Sequence, residues 1–187
     1  MVKWAFAIAM TAGTTVAMAQ DGTGFWGGVD AGPAFLERTY SQTGSSRDTE
    51  FALAFRGGYA WHPRLLLGLE LGGFTLEEGD LWDPRQGEGI QTFYAIAHYY
   101  PGAGSKFFLR AGFGHVQYWN NRPGETDASD SGYVLGAGYE LARWGSWRFE
   151  PVIDFSGGKF DGATSPPGVV QDQRYEALTF RLGITYR

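Results

Sequence analysis

Cysteine is absent from the 187 residues of this chain, so disulfide bridges play no part in its stability, and the cysteine clusters that hold zinc are absent too. Histidine is almost as scarce, with His62, His98 and His115 far apart in the sequence. Beyond the first twenty residues no run of about twenty apolar side chains occurs, which excludes a membrane-spanning helix from the rest of the chain. Nor does any long segment repeat apolar residues at i, i+3, i+4 and i+7, so an α-helical core is not expected. Positive charge is in the minority, 15 Lys and Arg against 20 Asp and Glu, for a net charge of −5, and nucleic acid is therefore not an expected partner.

What the chain has instead begins with an export pattern. Lys3 supplies a positive start, Trp4 to Met10 an apolar stretch, and Ala17-Met18-Ala19 a small-residue cleavage site before Gln20. Residues 1–19 are expected to be a secretory signal peptide and 20–187 a single mature domain. Removing Lys3 leaves 14 basic and 20 acidic residues, a net charge of −6. Glycine is the second surplus: its 29 residues are about twice the ~7% norm, and they recur inside apolar runs rather than collecting in linkers.

Alternation with period 2 runs through the mature chain. From Phe51 to Trp61, one face carries Phe51, Leu53, Phe55, Tyr59 and Trp61, and the other Ala52, Ala54, Arg56, Gly58 and Ala60. The same pattern returns in Leu65 to Leu76, in GYVLGAGYEL (132–141) and in the last strand up to Tyr186. Less regular strands are expected over Phe25–Glu37, Ile90–Tyr100, Phe107–Trp119 and Arg148–Phe160. Together these make eight strands of about ten residues or more, the length that crosses a tilted bilayer. Short connections at His62–Arg64, Pro101–Lys106 and Arg143–Ser146 alternate with longer polar ones at Tyr40–Asp48, Glu77–Glu88, Asn120–Ser131 and Asp161–Asp172. The expected fold is all-β: an eight-stranded antiparallel up-and-down transmembrane β-barrel.

Period 2 alone does not distinguish a soluble barrel, apolar inside, from a membrane barrel, apolar outside. The composition of the less apolar face does. It is mostly Gly and Ala with single charges of both signs, which suits a narrow lumen better than a solvated sheet. Asp30, Arg56, Glu70, Arg110, Glu140, Glu150, Asp154 and Arg181 all fall on lumen positions and are expected to form a structural network of paired charges, because an unpaired buried charge is costly. Aromatics gather near strand ends. Trp61, Tyr99, Tyr100, Trp144, Trp147 and Tyr186 lie toward the short-turn end, and Tyr40, Phe51, Tyr118, Trp119, Tyr133 and Tyr175 toward the other. They are expected to form the two aromatic belts of a bilayer-spanning protein.

The signal, the GFWGGVDAG opening (24–32), the GAGYEL strand (136–141) and the terminal FRLGITY (180–186) resemble small outer-membrane barrels of the OmpX, OmpA membrane-domain and opacity-protein kind. The resemblance covers the whole mature chain. It implies a bacterial outer-membrane location and insertion by the barrel-assembly machinery. It also implies contact with outer-membrane lipid and lipopolysaccharide, and a monomer whose loops face outward toward an extracellular ligand. Such barrels usually end on an aromatic residue; here Arg187 follows Tyr186.

Catalytic and metal-binding patterns are not evident. No histidine opens a His-x-Ser pattern, and the acidic run Glu77-Glu78-Gly79-Asp80 with Asp83 and Glu88 lacks the spacing of a calcium loop. No catalytic residue, metal or cofactor is expected. The leading expectation is a structural or surface-interaction role. A narrow pore or channel for small hydrophobic solutes is the alternative, and a lipid A-modifying enzyme the third reading.

Overall fold

The structure is a computed structural model that describes residues 23–40, 44–75, 88–102, 104–120, 128–164 and 170–187. The expected signal segment, and the acidic run from Glu77, lie outside these residues. The described residues form nine strands and no helix. They are β1 (Gly24–Tyr40), β2 (Gly44–His62), β3 (Leu65–Thr75), β4 (Glu88–Tyr99), β5 (Phe107–Asn120), β6 (Ala128–Tyr139), β7 (Ala142–Trp144), β8 (Trp147–Thr164) and β9 (Val170–Tyr186).

Every neighbouring pair is antiparallel, and the order β6-β5-β4-β3-β2-β1-β9-β8-β7 closes on itself through a β6–β8 pairing. β6 and β7 both run along β8. Their ladders stop at Gly138–Val152 and resume with Leu141 N–H donating to the Phe149 carbonyl at 2.9 Å, so they are one stave interrupted at Glu140. The interruption faces Pro151 of β8, which has no N–H to offer a ladder. The barrel therefore has eight staves, as the alternation predicts.

Two of the expected long loops are largely strand. β1 and β2 pair up to Tyr40–Gly44, and β8 and β9 as far as Thr164–Val170, so these hairpins replace most of the polar stretches at 40–48 and 161–172. The reason is that the polar residues there keep the period of 2: Leu36, Arg38 and Tyr40 continue one face, and Phe35, Glu37 and Thr39 the other. β1, β2, β8 and β9 run to 17, 19, 18 and 17 residues, against the 9–11 that cross a bilayer. One wall of the barrel thus rises well beyond the membrane.

The apolar face points outward. Phe25, Leu69, Phe113, Leu135, Phe180 and Leu182 are exposed, whereas charged and aromatic side chains on the opposite face are buried. A soluble protein would bury the first set. An apolar outer band around a polar interior is the arrangement of a membrane barrel.

Candidate functional site: the barrel lumen

The lumen is filled in three layers. At the short-turn end, His98 lies between two rings, stacked on Phe108 at 5.0 Å and tilted against Trp26 at 5.1 Å, with Tyr100 beside Phe108 at 5.4 Å. Trp26 Nε1 donates to the Leu67 carbonyl at 3.3 Å. The Arg187 guanidinium sits 4.7 Å over the Tyr100 ring, where its charge meets the negative face of the ring.

The middle layer is ionic. All eight charges marked in the sequence lie in the lumen wall and are buried, Asp30 and Asp154 to 1% exposure and none above 8%. Arg56 reaches Asp30 at 3.3 Å and Glu150 at 2.9 Å, and Arg110 reaches Glu70 at 2.5 Å and Asp154 at 3.3 Å. Arg181 contacts Asp30 at 2.6 Å, Glu70 at 3.9 Å and Asp154. The Thr185 hydroxyl donates to Glu150 at 2.7 Å and accepts from Arg56 at 3.0 Å. Glu140 stands apart, paired with Arg148 at 2.5 Å. Several of these contacts cross a stave, and glycine makes that possible. Gly136 lies in register between Arg110 and Asp154, and a Cβ there would collide with the Asp154 carboxylate. Gly183 lies between Asp30 and Glu150, where a Cβ would come within 2.9 Å of an Arg56 nitrogen.

The upper layer is aromatic. Tyr94, Gly114, Gly132, Gly158 and Tyr175 form one register row across five staves. The two tyrosines lie over the three glycines and join hydroxyl to hydroxyl at 2.8 Å. Tyr175 stacks on Phe160 at 5.6 Å, and Phe160 meets Tyr118 at 5.9 Å. Between this layer and the ionic one, a cavity of about 20 Å³ bordered by Thr92, Tyr94, Ser156 and Thr179 is roughly the size of one water molecule.

Four of the aromatic assignments need correction. Tyr175 is wholly buried in the lumen and does not belong to an outer belt; nor do Tyr118 and Tyr100, which are buried as well. Tyr40 shares the inward parity of Leu36 and Arg38. Position near a strand end suggested a belt, but parity decides the side: Tyr175 lies an even number of residues from Thr179 and Arg181, and its hydroxyl has a partner inside. Trp61, Tyr99, Trp144, Trp147 and Phe51 are exposed on the outer wall, and Trp119, Tyr133 and Tyr186 are half-exposed there. Lumen residues not singled out from the sequence include Arg148, Arg38 and Tyr94, and His98, noted there only as one of three scattered histidines, is also inside. The even-numbered parity of β8 and β1 would have placed the two arginines inside.

The three histidines do not meet. His62 is exposed in the β2–β3 turn, its Nδ1 accepting from Arg64 N–H at 3.1 Å; His98 is in the lumen; His115 is exposed on the outer wall. Among the described residues no group of three or more His, Cys, Asp or Glu is placed to hold a metal ion.

The sequence matches the family model for the outer membrane protein beta-barrel domain over residues 5–187. The chain belongs to that family. Its membrane is accordingly the bacterial outer membrane, and its outward apolar wall faces lipid. Solved structures agree on the fold. The Neisserial surface protein NspA superposes with a TM-score of 0.54 at 13% identity, over 89% of this chain and 99% of that one. Ail, the attachment invasion locus protein of Yersinia pestis, gives 0.57 at 9% identity, over 89% and 99%. Outer membrane protein AlkL, solved in lipid bilayers, gives 0.50 at 13%, over 95% and 96%. A search of curated protein sequences returns no match.

Proposed function

We propose that this outer-membrane barrel is exported by its N-terminal signal, is not catalytic, and acts as a monomeric scaffold that presents its outer rim for interaction at the cell surface. The observation that carries this reading is the filled lumen below a raised wall. Ring layers at both ends and an ionic layer between them occupy the space a solute would need, while β1, β2, β8 and β9 extend several residues past the bilayer. Ail is named for attachment and invasion, which fits the same reading.

The test combines two measurements. Planar-bilayer recordings of the reconstituted protein should give no steady conductance, whereas a resting current that changes in Arg56→Ala would favour the narrow-pore alternative. Shortening the outer connections should abolish surface adhesion while folded protein persists, read as altered migration on an unheated detergent gel. Unchanged adhesion would remove the surface role.

A further inference from the structure

The charges of the ionic layer do not balance, and the imbalance borders a space. Arg56, Arg110 and Arg181 bring three positive charges to the layer, where Asp30, Glu70, Glu150 and Asp154 bring four negative ones. Glu140 and Arg148 cancel each other apart from them, and Arg187 lies outside the layer, over the Tyr100 ring at the short-turn end. A buried charge without a counter-charge is costly, so the layer calls for one more unit of positive charge.

The cavity of about 20 Å³ beneath the Tyr94–Tyr175 pair lies where the acids are least satisfied. Glu70 and Asp154 both line it. Glu70 Oε1 has only an Arg181 nitrogen at 3.9 Å, and Asp154 Oδ1 only Arg110 Nε at 3.3 Å, with no hydrogen bond formed. Beside them Ser156 Oγ and Thr179 Oγ1 are buried without a hydrogen-bond partner. Glycine keeps the space open: a Cβ on Gly72 would come within 3.1 Å of Thr92 Oγ1. Arg181 also borders the cavity, but its terminal nitrogens are taken by Asp30 and Asp154. The remaining polar groups are hard oxygens around room for one water-sized particle, a donor set that suits a hard cation. Water would satisfy the hydroxyls and leave the charge. A divalent ion would overcorrect the charge, and calcium would want six to eight oxygens. We infer that this cavity binds one small monovalent cation, of sodium or potassium size, held by the carboxylates of Glu70 and Asp154 and the hydroxyls of Thr92, Ser156 and Thr179.

Urea unfolding of the barrel in vesicles of zwitterionic phospholipid, followed by tryptophan fluorescence, tests this in sodium, potassium or choline chloride at one fixed ionic strength. Choline is too large for the space and supplies the same screening. The midpoint should be higher in sodium or potassium than in choline. Replacing choline by the bound cation should raise the ratio of folded to unfolded protein by up to about tenfold per tenfold in cation concentration, the slope of a single site. Glu70→Gln removes the surplus acid and keeps an oxygen for Arg110, so it should be at least as stable as wild type in choline and lose the response. Thr179→Val keeps the shape, removes one unpartnered oxygen and should weaken the response. Equal midpoints in the three salts would overturn the inference, since water would then fill the cavity and a proton would carry the charge. So would a response in both variants as large as in wild type, which would put the cation elsewhere.

Discussion

Arg181→Met is the sharpest probe of how this barrel is held together. The side chain is almost fully buried and touches Asp30, Glu70 and Asp154, with Asp30 at 2.6 Å. Methionine keeps much of the volume and removes the charge. Arg56, Arg110 and Arg181 face Asp30, Glu70, Glu150 and Asp154, so the variant leaves two guanidinium groups against four carboxylates. Breaking a buried ion pair from one side costs about 3–5 kcal/mol, because the partner stays buried without its counter-charge. Arg47→Met is the matched control: it removes a guanidinium–carboxylate pair of the same chemistry with the arginine side chain 80% exposed, and should cost no more than about 1 kcal/mol. Denaturant unfolding of both variants in the same lipid, followed by tryptophan fluorescence, measures the difference. The double variant Arg181→Met/Asp154→Leu should recover part of the loss by removing one uncompensated acid. If Arg181→Met proves no more costly than Arg47→Met, the lumen charges are hydrated and do not act as a buried network.

Further outcomes follow from the other layers. Tyr175→Phe leaves the Tyr94 hydroxyl without its 2.8 Å partner and should destabilise by about 1–3 kcal/mol in the same titration, whereas Tyr133→Phe on the outer wall should be close to neutral. Gly136→Val places a Cβ on the Asp154 carboxylate and should prevent the shift in gel mobility that marks a folded barrel; Gly102→Ala, with Ser105 3.9 Å from the added carbon, should leave it intact. Trp61, Trp144 and Trp147 should be quenched most strongly by lipids brominated near the headgroup, and a maximum at mid-chain depth would contradict their place in a belt.

Much of the fold is legible in the sequence because a membrane barrel writes both its faces at period 2. The parity of Arg56, Glu70, Asp154 and Arg181 follows from the apolar residues beside them, and burial of these four is a direct consequence. The strand ends are less legible. At Tyr40–Asp48 polarity marks departure from the bilayer, not departure from the sheet, since ladder hydrogen bonds cost nothing extra in water. Which charges pair is not legible at all. Arg56 has Glu70 as its direct ladder partner yet pairs with Asp30, a diagonal neighbour on β1, and with Glu150 on β8, which only the curling of the sheet brings within reach and which no local spacing encodes.

The same point ties the glycine surplus to the filled interior. In a barrel of eight staves the lumen is narrow, and a large side chain fits only by lying across its neighbours. The Tyr94–Tyr175 row shows the requirement: two rings approach from β4 and β9, 81 residues apart in the chain, over Gly114, Gly132 and Gly158. Arg110 needs Gly136 in the same way to reach Asp154. These contacts join staves that are not ladder neighbours, so they cannot form in an isolated hairpin and arise only once the sheet has curled. Hairpin formation draws on the ladder and the apolar outer face. Closure draws on the tyrosine pair and on the ion pairs that cross a stave, such as Arg56–Glu150 and Arg110–Asp154, and the glycines are the floor on which those inner contacts are laid. Filling the lumen and closing the barrel are thus one event, which is why a residue that blocks a glycine should be as damaging as one that removes a charge.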